Sequence, residues 1–573
     1  MNRRDGAFVA ALVLMLVVIG GAIALPQARP SAPASVEPTP DVSLPPPVTY
    51  REGVVGSPVS ITPITARTRA DRTLAGLIFS GLVRPGASGT YEPDLAESWT
   101  TDAKGTTWTF TIRPDATWQD GVPVTADDVV YTVEALKSPD SAGGMSGAWA
   151  EVTAEAVDAR TVRFTLATPI AGFLAALTQA LLPAHLLADM PFADLATSDF
   201  ARLPVGTGPF SLVELDAEHA VLQPTTPAAG QMEPTPGPSL DSLASPYPAA
   251  TAGRPSPYLE RVEVSFFENE AAMADALRNG EIDGAAGFTP AAADALAGTN
   301  GLERLRYPTT TLSSVLLNLR PTHPELGSAR VRQALLAAID RNALVAGPLA
   351  GDAVRADALV SPSSWAFDGA SAPRVAYDRK GAAKALTDAG WTKINGSWAA
   401  PKAKAPYKLE VLTVPASASP RLAATAGFVR DAWVKLGFKA NLVELPATEL
   451  ATRLRAGDYT AAVVDIAAGL EPDLYPLLAS SQVRASGMNL SGYQDPALDE
   501  LLAAARTPGK QESRKAAWKA LLKAVGERLP ILPLAWADEA FLSRGLTGPA
   551  PRLIAGPGDR FGDVLAWRLA TDR

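Results

Sequence analysis

The sequence predicts an α/β protein, and three of its features carry that prediction. Amphipathic helical segments alternate with short apolar strands through the second half of the chain, as is typical of α/β folds. Strands with alternating apolar residues precede them in the first half. Hydrophobic residues make up 47% of the 573 residues and charged residues 19%, which indicates a globular chain long enough for several cores.

The chain begins with an apolar segment, in which Arg3 and Arg4 precede an uncharged run from Ala7 to Leu25. As a helix this run would span roughly 28 Å, close to the apolar thickness of a bilayer. The positive flank predicts a cytoplasmic N-terminus, with the rest of the chain in the cell envelope outside the cytoplasmic membrane. We expect an uncleaved membrane anchor; the alternative is a cleaved signal peptide and a secreted protein.

Two segments are rich in proline. Residues Pro26 to Val48 form a linker in which proline favours an extended, semi-rigid polyproline II spacer. Residues Gln223 to Pro257 combine Pro, Gly, Ser, Thr and Ala, which predicts a low-complexity surface insertion, largely disordered. A partner-binding polyproline segment is the alternative for this insertion.

The first strands and helix are predicted from short sequence patterns. A strand begins near Thr49, and an amphipathic helix follows across Asp71 to Val83. Trp108, Phe110 and Ile112 alternate with polar residues, which predicts a half-buried strand.

Thr125 stands before the next helix, where its hydroxyl can cap the helix start. Asp127 and Asp128 resemble a catalytic acid pair, but negative charge in a first helical turn is explained by the helix dipole.

The second half contains a helix across Ser328 to Gly347, with Val331, Leu335 and Ile339 on its core face. Arg332 and Asp340 are woven into this pattern.

Several function classes are disfavoured by composition. The chain has no cysteine and only three histidines, His185, His219 and His323, far apart in sequence, so we expect no metal site and no cofactor. Its net charge is −9 without a Lys/Arg-rich block, so no nucleic-acid partner is expected. A secreted hydrolase would need a nucleophile, and no GxSxG motif is present; we therefore expect no enzyme.

Six motifs occur in an order that is informative. They are YEPDLAESW (91–99), WTFTIRPDATWQDGVPVTADDVVYTVEAL (108–136), PVGTGPFSL (204–212), ALRNGEIDG (276–284), LLNLRPTHPELGSARVRQALLAAIDRNALV (316–345) and AYDRKGAAKALTDAGW (376–391). In this order they resemble the extracellular solute-binding proteins of peptide/nickel ABC importers, family 5. The resemblance extends over almost everything after Thr49. The family often has histidine where Gln119 stands, a change we expect to be structural. In the family, the segment VRQALLAAIDR is a scaffold helix near the hinge, so the resemblance implies that Arg332 and Asp340 form structural hydrogen bonds or ion pairs rather than ligand contacts.

The resemblance implies a two-lobe periplasmic-binding-protein fold of type II with an extra domain. Two crossing segments would form a hinge, with the ligand cleft between the lobes. The implied first lobe is discontinuous, at about 49–85, 205–320 and 525–573, with the extra domain at 86–204 and the second lobe at 321–524. The closed form would deliver a small, peptide-like solute to an ABC permease driven by ATPase subunits, and the protein would be a monomer.

The same resemblance implies a ligand site. In peptide-binding relatives, an aspartate a few residues before an acidic-Pro pair anchors the ligand's ammonium group. Counting back from Pro472 reaches Ala468 or Gly469, which carry no charge. The candidates at this strand end are therefore Ala467 and Gly469, with Asp465 as the nearby acid, and an altered ligand preference is expected.

Further candidate ligand contacts lie elsewhere in the chain. Arg67, Thr68 and Arg69 follow the first strand, where relatives contact ligand backbone, and either arginine could pair with a carboxylate. Trp365 could form an aromatic wall, and Asn489 could reach the cleft from the second lobe. For each residue, a solvated loop or packed surface position is the alternative.

Two functions are compatible with the sequence. The first is the substrate-binding component of an ABC importer. The second is a non-transport envelope sensor or scaffold built on the same fold, which the apolar N-terminus and the missing anchor acid would suit.

Overall fold

The computed structural model describes residues 48–86, 90–141, 149, 151–167, 169–170, 172–225, 258–484, 487–507 and 511–570. The apolar N-terminal run, most of the Pro-rich linker and nearly all of the proline-rich insertion lie outside these residues. Among the helices of the described part, none is long and apolar enough to cross a membrane.

The strands, numbered in chain order, are β1 (Thr49–Val55), β2 (Val83–Pro85), β3 (Tyr91–Pro93), β4 (Ala96–Thr101), β5 (Thr107–Ile112), β6 (Val152–Asp158), β7 (Thr161–Leu166), β8 (Phe210–Leu215), β9 (His219–Pro224), β10 (Arg261–Phe267), β11 (Gly284–Ala286), β12 (Leu302–Leu317), β13 (Ala353–Arg355), β14 (Thr392–Ile394), β15 (Ser397–Ala399), β16 (Lys408–Thr413), β17 (Lys439–Glu444), β18 (Ala461–Ala467), β19 (Leu532–Arg544), β20 (Leu546–Thr547) and β21 (Arg568–Leu569).

The α-helices span Arg69–Ile78, Ala126–Lys137, Phe173–Ala176, Ala184–Leu187, Glu270–Asn279, Pro290–Ala297, Ala329–Ala337, Arg341–Ala346, Arg379–Asp388, Pro420–Leu436, Ala447–Ala456, Tyr475–Leu478, Pro496–Arg506 and Gln511–Arg528. Short 3-10 helices occur at Phe192–Asp194, Asp199–Ala201, Pro324–Leu326, Ser480–Gln482 and Pro557–Ala566.

An eleven-stranded mixed sheet runs through the molecule, in the order β17-β16-β18-β12-β19-β11-β1-β10-β9-β8, with β13 paired to β19. A separate four-stranded antiparallel sheet has the order β4-β5-β7-β6. The predicted α/β class is confirmed, since helices pack on a sheet that contains both parallel and antiparallel pairs.

Two large hydrophobic cores lie along this sheet. The first core includes Tyr50 and Phe110, and the second includes Trp433 and Leu412. β12 contributes Tyr307 to the first core and Val315 to the second, and β19 contributes Phe541 to the first and Leu532 to the second. The two long strands therefore connect the cores, as the two crossing segments of a hinge would.

Local patterns predicted several elements correctly. Trp108, Phe110 and Ile112 are buried on β5. Thr125 caps its helix, and Asp128 completes a capping box by accepting from the Thr125 backbone N–H at 2.8 Å. Asp128 of the acidic pair thus serves in helix capping.

The helix predicted across Ser328 to Gly347 is instead two helices. Asp340 ends the continuity, because its carboxylate accepts from the Ala343 backbone N–H at 3.0 Å and caps the second helix. Arg332 is buried, and its guanidinium donates to backbone carbonyls that include Leu326 and Leu529. Both residues therefore serve the scaffold.

Gln119 joins the four-stranded sheet region to the large sheet. Its amide nitrogen donates to the Phe210 carbonyl at 2.8 Å and to the Ile78 carbonyl at 3.2 Å, and its amide oxygen accepts from the Gly206 N–H at 2.9 Å. A Cβ on Gly206 would lie 2.0 Å from the Ile78 carbonyl oxygen, so this close approach requires glycine.

Candidate functional site

A cavity of about 340 Å³ opens where β12 and β19 pass between the two cores. We call it the hinge cavity. Its lining is Arg69, Gly287, Phe288, Thr289, Pro290, Thr309, Thr311, Asp352, Ser419, Pro420, Arg421, Ala537, Asp538, Glu539, Ala540, Ile554, Ala555, Gly556 and Pro557.

An irregularity in β12 forms the floor of the hinge cavity. The pairing of β12 with β19 shifts between Pro308, opposite Asp538, and Leu312, opposite Trp536, so β12 carries extra residues there. The Thr309 hydroxyl holds the bulge by donating to the Ala537 carbonyl at 2.7 Å. The bulge interrupts the ladder at the passage between the cores and leaves room for the cavity.

One wall of the hinge cavity carries an ion pair between Arg69 and Glu539. Arg69 is the first residue of its helix, and its guanidinium lies against Gly287, whose φ of 89° favours glycine. Thr68 caps the same helix, accepting from the Asp71 N–H at 3.0 Å. Arg67 is exposed and does not line the cavity.

The opposite wall carries a second ion pair, between Arg421 and Asp465. Ser313 links the two side chains, donating to Asp465 at 2.7 Å and accepting from Arg421 at 2.7 Å. Arg421 reaches the cavity from the start of the helix Pro420–Leu436. Asp465 therefore has a cationic partner from its own side of the cavity.

Two more acids line the cavity from the crossing strands and the loop before β13. Asp352 is buried and pairs with Arg304 and, at 3.0 Å, with Arg306. Asp538 is half-buried, and this burial raises the pKa of its carboxyl to about 6, although the charge of Arg306 acts in the opposite direction.

The strand end that the sequence singled out lies beside the bulge. Ala467 is opposite Thr311 in the β12–β18 pairing, and the Ala468 N–H donates to the Thr310 carbonyl at 2.9 Å. Gly469 has a φ of 72°, which favours glycine at this turn. Ala467 and Gly469 are exposed next to the hinge cavity's floor but do not line it.

Trp365 lies in a different cluster. Its indole N–H donates to Glu471 at 3.1 Å, and the Arg514 guanidinium lies 4.3 Å from its ring centroid. Arg514 also pairs with Glu471, a side chain that is 8% exposed. The Glu471 side chain packs against Gly172, the neighbour of Phe173 in the first core. We call Trp365, Glu471, Arg514 and Gly172 the clasp, because it joins the two cores.

Asn489 is buried in its own loop. Its amide nitrogen donates to the Ala479 and Tyr493 carbonyls at 3.1 and 2.8 Å, and its oxygen accepts from the Ser491 hydroxyl at 3.0 Å. These contacts give the side chain a structural role in this arrangement. Of the predicted contacts, Arg69 lines the hinge cavity directly and Asp465 reaches it through Arg421.

Sequence reasoning missed Arg421, Asp538, Glu539 and Glu471. The acids at 538 and 539 did leave a signal, since they interrupt the otherwise apolar strand LPLAWADEAFL. Arg421 left none, because only the fold brings the start of its helix to β12.

A second cavity of about 590 Å³ shares Gly556 with the hinge cavity. Apolar side chains such as Phe79, Val83 and Leu553 contribute to its lining. The two cavities meet at Gly556. A ligand whose charged group occupies the hinge cavity therefore has space for an apolar part in the second cavity.

Each histidine lies beside carboxylates. His185 lies 2.8 Å from Asp120 and His323 lies 3.3 Å from Glu325. His219 is grouped with Glu214 and Asp216 on the exposed β8–β9 hairpin. The three histidines are not brought together.

A charged cavity between two cores, at two crossing strands, is the arrangement expected of a hinged solute-binding protein. The profile of bacterial extracellular solute-binding proteins, family 5 (middle region), matches residues 90–486. The chain belongs to this family, and the resemblance predicted from the six motifs is confirmed.

Individual relatives agree with this assignment. The oligopeptide-binding protein AppA of Bacillus subtilis (strain 168) is 24% identical over 486 residues, covering 83% of this chain and 84% of AppA. Protein XP55 of Streptomyces lividans is 28% identical over 483 residues, covering 82% and 80%. The crystal structure of NikZ from Campylobacter jejuni in complex with Ni(L-His) has a TM-score of 0.68 at 26% identity, covering 91% of this chain and 99% of NikZ.

Proposed function

We propose that this chain captures a peptide or similar small solute in the hinge cavity and delivers it to an ABC permease. The observation that carries the proposal is the position of the cavity, with Arg69–Glu539 on one wall and Arg421–Asp465 on the other. A ligand held between these walls contacts both cores, so it favours their approach. The family assignment supports solute binding, and the name of AppA supports a peptide.

The proposal includes the lobe boundaries, the oligomeric state, the location and the partners of the protein. The lobes would be 49–85 with 205–320 and 525–573, and 321–524, with 86–204 as the extra domain. The chain would act as a monomer outside the cytoplasmic membrane, held there by its N-terminal segment or released. Its permease would work with ATPase subunits. We propose no enzymatic activity and no cofactor.

The positions of the other candidate residues relative to the hinge cavity decide how directly each could contact a ligand. Arg69 is the strongest candidate, since its guanidinium lines the cavity and can exchange Glu539 for a ligand carboxylate. Ala467 and Gly469 offer exposed backbone beside the cavity floor. Arg67, Thr68, Trp365 and Asn489 would influence binding by supporting helix, clasp and loop geometry.

A thermal-shift screen of residues 49–573 tests the function. The screen covers peptides, oligosaccharides, opines, amino acids and metal chelates, with mass spectrometry of the protein as purified. A ligand that binds the folded state alone is expected to stabilise it by about 2.7 kcal/mol at a concentration a hundredfold above Kd. The absence of any shift and of any co-purified solute would favour the sensor or scaffold function instead.

A further inference from the structure

The charged side chains that line the hinge cavity are almost all neutralised by protein partners. Arg69 pairs with Glu539, and Arg421 pairs with Asp465. Asp352 forms ion pairs with both Arg304 and Arg306. Asp538 is the exception, because no hydrogen bond or ion pair links its carboxylate to another residue in the described part of the chain.

We propose that Asp538 binds the cationic group of the ligand, a protonated amine or a guanidinium. This inference rests on the proposed function and specifies the ligand class. It places the anchor on crossing strand β19, with β12 between it and the strand end where Ala468 and Gly469 carry no acid. The solute therefore carries a positive charge, and the second cavity beyond Gly556 offers space for the rest of it.

The surroundings of Asp538 leave its carboxylate available to bind a ligand cation. Arg306 is the cation whose charge favours ionised Asp538, yet its guanidinium is bound to Asp352 at 3.0 Å. Asp352 itself disfavours a second negative charge nearby. A half-buried carboxylate without a partner is costly, so a ligand cation placed there recovers a charge-assisted hydrogen bond. A neutral ligand leaves that cost in place, and an anionic one increases it.

Binding through Asp538 has a defined pH dependence. Free Asp538 has its pKa raised to about 6, mainly by burial, and a bound cation favours its ionised form. Affinity is therefore highest above pH 6 and falls about tenfold per pH unit below it, because a proton must leave before the cation binds. The other charged groups around the hinge cavity are Arg69, Arg304, Arg306, Asp352, Arg421, Asp465 and Glu539.

The test uses a pool of alanine peptides of two to five residues with free amino termini, their N-acetyl derivatives, and the acetylated peptides with one arginine. Binding to residues 49–573 is measured by native mass spectrometry, and the affinity of the tightest member by calorimetry. The variants are Asp538→Asn and Asp465→Asn. Asp189→Asn is the matched control, an exposed aspartate outside the cavity.

Wild-type protein and Asp189→Asn are expected to prefer the cationic members by at least tenfold, the scale of a charge-assisted bond. Asp538→Asn is expected to lose this preference. Equal binding of cationic and neutral members by the wild type would overturn the anchor and leave solute binding intact. Loss of the preference in Asp465→Asn alone would overturn it in favour of the acid beside Arg421.

Two further outcomes separate the anchor from the function. If the wild type binds nothing in the pool, the anchor for cationic peptides is overturned, and the thermal-shift screen decides separately whether the protein binds another solute. If Asp538→Asn does not fold, the wild-type pH titration decides. A cationic peptide whose affinity stays constant from pH 7.5 to pH 5 would overturn the inference.

Discussion

Replacing Arg560 by methionine is expected to lower the free energy of unfolding by about 3–5 kcal/mol. The Arg560 side chain is 1% exposed and pairs with Glu52, which is 0% exposed. Removal of the guanidinium would leave the buried Glu52 carboxyl, whose pKa burial already raises, without its cationic partner, so it must stay charged in the core or take up a proton. Among the described residues, the Tyr50 hydroxyl would then be its one remaining side-chain donor. Arg560 also lies over the Phe561 ring, 4.2 Å from its centroid, so packing is lost as well.

Urea unfolding of the compact unit from Pro47 onward measures this change. Arg374→Met is the matched control, since the Arg374 side chain is 77% exposed and its loss should cost less than about 0.5 kcal/mol. A double change of Glu52→Gln with Arg560→Met should recover part of the loss, because no charge remains buried. A loss below about 1 kcal/mol in the single variant would contradict a buried, essential ion pair.

Replacing Arg514 by methionine is expected to weaken ligand binding at least tenfold while changing overall stability much less. The clasp buries Glu471 between the cores, and this burial raises the pKa of its carboxyl. Without Arg514, Glu471 would keep only the Trp365 indole as its partner there. Separation of the cores would hydrate Glu471, so the variant favours the open arrangement and binding must overcome that preference.

Calorimetry with the solute from the screen measures the loss, and small-angle scattering measures the separation of the cores without ligand. Arg506→Met is the matched control: Arg506 also pairs with an acid and lies over an aromatic ring, but the side chains of Arg506 and its partner Asp473 are 36% and 34% exposed. It should change affinity less than about twofold. Equal effects of the two variants would contradict a specific role for the clasp.

The sequence predicted the parts of this fold that depend on neighbours in the chain. The alternation at Trp108, Phe110 and Ile112 and the cap at Thr125 are set by local rules, and both were correct. The break at Asp340 was missed, because a continuous apolar pattern concealed a local capping hydrogen bond.

The candidate site was less predictable, because it depends on how distant strands align. Asp538 and Thr309 become neighbours only after β12 and β19 pair with a shifted register. Arg421 reaches Asp465 only when its helix packs beside β18. Local sequence could suggest Arg69 and Asp465 as charged candidates, but their protein partners, Glu539 and Arg421, are distant in the chain.

Hydrogen exchange with and without the tightest solute from the screen shows whether ligand binds in the hinge cavity. We expect slower exchange at 309–312, 419–423 and 537–540, since these segments line or adjoin the cavity from both cores. Slower exchange confined to segments away from the cavity, with none of these three protected, would contradict it.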